Sequence, residues 1–448
     1  MKTLISRLIL LLALLFLSAV PATSSVLAKD YLIEDLQLEG NERTSRAWLQ
    51  EYLSLSFPLT LTDEDLESMR SKLLTTGVFS SVDIQVLPVD PTSNRFHLII
   101  KLAEKWTTIP VVRGAYGGGT PLRVVGVYDS HSFGHLWTLG GEMHQYGEAP
   151  PGFVVWARAP RWKSGRHVVG GEIWREFRVR TIYDNEDKAL GHINTDTLRF
   201  RGLFLAPVNS PLQRFQQDIL QIGFDWQSSR VAPSYFIPDD SNPANVAPDD
   251  ITLESKRSVQ SAMLAKVVYD NIRIDNILMD GTRLLAGFGP LYDGYTTHTK
   301  FEHEAFFYKL IGSNVNLAGH YLVGSTNNDR IANQYFLGGL DSVRGIPDGA
   351  LYGNHAAYVN TEARFLVAKY RYTWFEPLVF LDSGGAGEDW RSAQDSTRTS
   401  VGAGIRIAIP QVYRMVFRID YAWDLNNPGA GGISAGLNEL FQPYPPLK

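Results

Sequence analysis

Residues Val412 to Trp423 alternate strictly. Tyr413, Met415, Phe417, Ile419, Tyr421 and Trp423 fall on one side of an extended chain, with Arg414, Arg418 and Asp420 on the other. A period of two belongs to a strand. So sharp a contrast needs one face against an apolar medium and the other against water or buried charge. The pattern recurs at Val401–Ile409, where Val401, Ala403, Ile405, Ile407 and Ile409 oppose Gly402, Gly404 and Arg406. It recurs again at Val359–Val367, where Asn360, Glu362 and Arg364 share the polar face, and at Val315–Val323. From Trp106 onward helical spacing vanishes, and strand-like segments follow one another without a clean domain break. A soluble all-β protein whose outward faces are covered by a second sheet can produce such alternation. So can a closed membrane barrel with lipid outside and a polar lumen inside. Aromatic residues make up 12 % of the chain, with 20 Tyr, 22 Phe and 10 Trp. That composition suits the barrel, whose interfaces are girdled by aromatic rings. At about 20 residues per strand and connection, residues 106–441 give roughly 16 antiparallel strands.

The N-terminus fits export. Lys2 and Arg7 precede an apolar run from Leu8 to Val20, and Val26-Leu27-Ala28 forms a small-residue cleavage pattern. Residues 1–28 are therefore expected to be a signal peptide cleaved after Ala28. Nowhere else do 18 apolar residues follow in a row, so helical membrane spans are excluded. Cysteine is absent, so the fold must rest on a large core or a closed sheet rather than on disulfides. The formal net charge of -5 and the lack of a basic tract exclude nucleic acid as a partner.

Residues 29–105 carry a different pattern. Tyr31–Leu38 reads as a strand ended by Gly40-Asn41, and Thr44–Leu55 as a helix with Trp48, Leu49 and Tyr52 on one face. Thr62 is placed to cap a second helix, with Asp63, Glu64 and Asp65 in its first turn and Leu66, Met69 and Leu73 as its apolar stripe. Gly77 ends that helix. Val78–Val86 and Arg95–Leu102 read as two further strands. The order strand, helix, helix, strand, strand describes a small α+β domain.

Residues 334–350 read QYFLGGLDSVRGIPDGA. Val343-Arg344-Gly345, preceded by Phe336-Leu337-Gly338-Gly339, resembles the conserved loop of the BamA/TamA/TpsB superfamily of outer-membrane assembly factors and two-partner secretion transporters. Further landmarks follow in the family's order. They are Asn360-Thr361-Glu362-Ala363-Arg364, then Val379-Phe380-Leu381-Asp382-Ser383-Gly384-Gly385, then Gly402-Ala403-Gly404-Ile405-Arg406 with Pro410. Ile433–Phe441, including Gly436, resembles the terminal strand with its closing aromatic Phe441. Thr76–Val82 resembles a helix-to-strand turn of a POTRA domain. The chain departs from the family in two ways. Only one POTRA domain fits, and Gln442–Lys448 continues past the aromatic. With prolines at 443, 445 and 446, that tail cannot extend a strand.

The resemblance implies a single POTRA domain (29–105), a transmembrane barrel (106–441) and a short tail (442–448), in the outer membrane with the N-terminal domain in the periplasm. It implies that the 334–350 loop folds into the lumen, with Gly338, Gly339, Val343 and Gly345 shaping it, and that Arg344 meets acids on the inner wall. Strand parity by itself turns Glu362 and Asp382 inward. The expected function is assembly, insertion or translocation of an unfolded or nascent outer-membrane or secreted polypeptide. The expected surroundings are outer-membrane lipid and accessory periplasmic proteins. A two-partner-type pore for one exoprotein, and a structural or diffusion pore without client handling, are the alternatives. No nucleophile, phosphate-binding or zinc signature is found. Glu302, His303 and Glu304 are split between faces by parity, and Asp184–Asp187 is a turn with surplus acid. Neither an enzyme nor a cofactor or metal is expected.

Overall fold

The computed structural model describes residues 30–437, apart from 92, 118–119, 163–165, 185–186, 209–218, 243–245, 340–341 and 428–430. The expected signal peptide, Phe441 and the tail after it lie outside the described residues.

The N-terminal domain runs β1 (Asp30–Glu39), α1 (Arg46–Tyr52), β2 (Leu59–Thr62), α2 (Asp63–Thr75), β3 (Phe79–Pro88) and β4 (Arg95–Glu104). Its sheet has the order β2-β1-β4-β3, with β1 and β4 parallel and the other pairs antiparallel. β2 is an addition to the sequence-based order. It has four residues, and only Leu59 and Leu61 point into the core, too short an alternation to be read beforehand. Leu49, Tyr52, Met69 and Leu73 from the helices close on Ile33, Leu36, Leu98 and Ile100 from the sheet. Thr62 ends β2 and caps α2. Its Oγ1 accepts from the Asp65 amide at 3.1 Å, and Asp65 Oδ2 accepts from the Thr62 amide at 2.9 Å. This reciprocal pairing satisfies donors that the first helical turn leaves open. Thr62→Ala should cost about 1 kcal/mol. That corresponds to roughly fivefold faster amide exchange along α2 in the full chain, and an unchanged rate would show that the cap does not hold the helix.

The remaining strands form a closed barrel of nineteen named strands. Three of these, Tyr235–Pro238, Arg273–Asp275 and Ala368–Lys369, are only two to four residues long. The other sixteen are the long wall strands, each antiparallel to the next from Thr108–Gly117 round to Gly431–Leu437, in agreement with the expected number. Along Met415–Asp424 every second residue is buried, while Phe417, Ile419, Tyr421 and Trp423 stand 40–53 % exposed on the outer face. The connection 388–397 between two long wall strands contains a short helix at Trp390–Asp395 whose first turn is capped by Asp389. Among the described residues no helix is long and apolar enough to cross a membrane.

The N-terminal domain lies across one end of the barrel and touches three of its turns. Arg43 pairs with Asp129 at 2.9 Å, and the Ser45 amide donates to the Gly134 carbonyl at 3.2 Å. The Ile274 amide donates to Thr75 Oγ1 at 3.3 Å. Tyr413 packs against the domain's core, and the Trp106 amide donates to the Gln411 carbonyl. The two longest connections, 232–257 and 327–354, are both at the opposite end.

Candidate functional site

The connection 327–354 folds back into the lumen. Its two arms form a small hairpin, Tyr335–Leu337 against Leu351–Gly353. The tip between them carries Ser342, Val343, Arg344 and Gly345, all except Gly345 at most 4 % exposed. Gly338 holds φ at +115°, and a Cβ there would come within 2.1 Å of the Pro347 carbonyl oxygen. Gly345 holds φ at +81°, and its Cβ would stand 2.8 Å from that of Ala422 on the inner wall. Both positions therefore require glycine, the first for the turn and the second for close approach to the wall. Gly339 also adopts a positive φ in this turn. Val343 is fully buried and seats over Gly384, where any side chain would collide with it.

Arg344 is fully buried and gives its whole donor fork to carboxylates. Nε donates to Asp382 Oδ2 at 2.7 Å and Nη2 to Asp382 Oδ1 at 2.9 Å. Nη1 donates to Glu362 Oε1 at 2.8 Å and to Asp420 Oδ2 at 3.3 Å. Its amide adds a bond to Asp382 Oδ2 at 3.2 Å, and the guanidinium carbon lies 3.4 Å from the Phe380 ring centroid. Paired donors on one carboxylate give the geometry that distinguishes arginine from lysine. The structure thus brings Arg344, Glu362 and Asp382 together.

Three members of the cluster were not singled out from sequence. Asp420 accepts from Arg344 and from Arg406 Nη1 at 2.5 Å. Arg406 Nη2 also reaches Glu362 Oε1 at 3.2 Å, while Arg364 Nε takes Glu362 Oε2 at 2.7 Å. Parity had already placed Asp420, Arg406 and Arg364 on polar faces. What it lacked was the barrel's cross-strand register, which sets Glu362 opposite Phe380 and Arg406 opposite Arg418. Three carboxylates face the fully buried guanidiniums of Arg344, Arg364 and Arg406, and Arg418 adds a fourth 3.8 Å from Asp420, so that charges of opposite sign largely offset one another. Such a balance is what allows ionised groups to be desolvated together.

The loop also reaches the far side of the lumen. Asp348 pairs with Arg178 at 3.3 Å, and the Arg180 guanidinium stacks 3.9 Å from the Phe336 ring centroid. Both arginines sit on the wall strand His167–Tyr183. The hairpin therefore spans the lumen from the Glu362–Asp382–Asp420 wall to the Arg178–Arg180 wall. Gly436 lies in the last wall strand, Gly431–Leu437, and pairs with Arg418. Between that strand and the first, Thr108–Gly117, the described residues share a single registered pair, Ala435 with Tyr116. Every other junction between long wall strands has at least seven. The other acids and the histidine weighed from sequence are engaged separately. Glu302 pairs with Lys300 at 2.8 Å, Glu304 with His320 at 2.9 Å, and His303 stacks on Tyr321.

Comparison with known proteins agrees with this architecture. Residues 158–438 match the Omp85 superfamily domain. CdiB from Acinetobacter baumannii overlays with a TM-score of 0.58 at 13 % identity, covering 91 % of this chain and 74 % of that one. CdiB from Escherichia coli overlays with a TM-score of 0.54 at 12 % identity, covering 94 % and 92 %. BamA from Haemophilus ducreyi lacking POTRA domains 1-3 gives 0.49 at 13 % identity, covering 91 % and 83 %. No curated protein sequence matches the chain. The two CdiB overlays share the fold. The family match covers well over half of the chain, including the lumen loop, the inner-wall acids and Gly436, and with it the chain belongs to the Omp85 superfamily.

Proposed function

We propose that this protein is an outer-membrane barrel that handles unfolded polypeptide, and that its task is insertion of nascent barrel strands at the seam between its first and last wall strands. The observation that carries this reading is the seam itself, with one registered pair among the described residues where neighbouring junctions have seven or more. An under-paired edge exposes backbone donors and acceptors that a client strand can complete by β-augmentation. The N-terminal domain is taken as a POTRA domain in the periplasm, with the β3 edge of its sheet open to extended clients or accessory proteins by the same physics. The connections at the far end, including 233–250 and 390–398, would then be extracellular. No covalent chemistry is needed.

The lumen hairpin weighs against a diffusion pore, because it spans the channel and is anchored on both walls. A two-partner-type secretion pore keeps the same fold but requires the hairpin to leave. A photo-crosslinking residue at Ile433 distinguishes these in cells. Ile433 is 56 % exposed on the outer face of the last wall strand. Adducts with several different nascent barrel proteins are expected. Adducts with one secreted protein would replace insertion by secretion, and a complete lack of polypeptide adducts would overturn both.

A further inference from the structure

The outward face of the barrel changes character along the strand Ile219–Val231. Ile222, Phe224 and Trp226 project from it 43–52 % exposed. Ser228 and then Arg230 follow on the same face, and Arg230 is exposed. The cross-strand register carries this change sideways. Arg175, Leu198 and Arg230 lie in one row across three strands, and Ile173, Phe200 and Ser228 in the row beneath. Arg230 stands eight residues along from Ile222. At about 3.3 Å per residue and a tilt of about 40°, that is about 20 Å of height. It is close to the height of the apolar band on membrane barrels, about 25 Å. The arginine row therefore stands at the border of the band, on the end away from the N-terminal domain.

Arg257, exposed in the connection just before the next wall strand, joins the row. Arg175, Asp196, Leu198, Arg230, Ala232 and Arg257 line one open cleft of about 190 Å³. Asp196 is the only carboxylate in that lining, and Arg175 holds it at 3.3 and 3.4 Å. Among the described residues neither Arg230 nor Arg257 has a carboxylate partner. The cleft thus carries three guanidiniums and one carboxylate. Arginine on a lipid-facing surface is unfavourable at depth and becomes tolerable only near the interface. Leaving two of them unpaired there is best explained by an anion supplied by the bilayer. Planar guanidinium forks match phosphate oxygens in pairs.

We propose that this cleft binds the phosphorylated headgroup of a lipid in the leaflet next to the long connections, with Arg230 and Arg257 gripping the phosphate and the outward side chains Ile173, Phe200, Phe224 and Trp226 below it packing its chains. The proposal requires only that the barrel sit in a bilayer. It is independent of the client and of the seam.

The test uses the full-length protein in phosphatidylcholine nanodiscs with or without 10 mol% phosphatidic acid, scored by lipid retained on extraction into detergent and by native mass spectrometry. Phosphatidic acid should be retained by the wild type and lost about tenfold in Arg230→Glu/Arg257→Glu. The milder Arg230→Gln/Arg257→Gln should show a smaller loss in the same direction. Charge reversal at Arg391, exposed on the short helix outside the cleft, should leave retention unchanged. Heat-modifiable mobility on gels verifies folding in each variant. Inorganic phosphate added in excess should fail to displace the lipid. Equal retention by wild type and both cleft variants, or a matching loss in Arg391→Glu, would overturn the proposal. So would displacement by inorganic phosphate, which would make the cleft a site for free anions.

Discussion

Replacing Arg344 with alanine is expected to release the lumen hairpin while leaving the barrel closed. The substitution removes the only loop cation from a cluster of three fully buried acids, Glu362, Asp382 and Asp420. Breaking a buried ion pair from one side typically costs about 3–5 kcal/mol, because the abandoned charge stays desolvated. The wall does not share that loss, since its backbone ladder does not pass through the loop. The chain has no cysteine, so one placed at Ser342 is a clean reporter of the loop. Ser342 is 4 % exposed, and its hydroxyl accepts from the Gly338 amide at 2.7 Å. Any effect of the reporter itself is present in both backgrounds and cancels. In purified folded protein, a bulky maleimide should label this cysteine slowly with Arg344 present. With Arg344→Ala labelling should be faster by on the order of a hundredfold, the ratio that about 3 kcal/mol supports. Lysine should rescue only in part, because a point charge cannot bond both Asp382 oxygens while reaching Glu362. Exchanging the pair as Arg344→Asp with Asp382→Arg should not restore the wild-type rate, since Glu362 and Asp420 would still face a new carboxylate on the loop. Equal labelling rates in the wild-type and alanine backgrounds would show that the loop is held by something other than this arginine.

Tying the seam shut should abolish client handling. Tyr116 and Ala435 are Cα partners across it. Directly opposed residues on antiparallel strands have Cα atoms about 4.5–5.5 Å apart, within the range a disulfide bridges. The double variant Tyr116→Cys/Ala435→Cys is therefore expected to oxidise readily. Once oxidised it should give at least tenfold fewer client adducts from the crosslinker at Ile433, with recovery after reduction. A matched pair away from the seam, Ala403→Cys/Tyr421→Cys, joins residues already paired between two neighbouring strands and should leave adduct yield unchanged when oxidised. Full adduct yield from the oxidised seam variant would rule out insertion through an opening at this junction.

Both expectations draw on features that sequence reveals unevenly. The alternation of Met415–Asp424 and the inward turn of Glu362, Arg364 and Asp382 were legible, because side chains on a strand have only two directions and the medium on each side selects between them. The capping role of Thr62 was legible for a similar reason, since a cap is satisfied by atoms three residues away. The conserved-loop resemblance pointed to Arg344 before any geometry was known. β2 escaped because two core leucines in four residues carry too little pattern. The helix at Trp390–Asp395 escaped because a single capped turn has no apolar stripe long enough to repeat.

Local sequence settled which face of each strand is polar, that an all-β segment follows a small α+β domain, and about how many strands that segment needs. All of these depend on neighbours in the chain and on the solvent each face meets. Which charges meet was decided by tertiary structure. Asp420 and Arg406 are separated by a turn in the chain but lie 2.5 Å apart, and Asp420 also accepts from Arg344 on a loop anchored elsewhere. The Arg175–Arg230 row likewise exists only through the register of three strands. A shift of one strand by a single residue would turn its whole polar face outward. Register is fixed by closure of the whole barrel, and no local segment contains it.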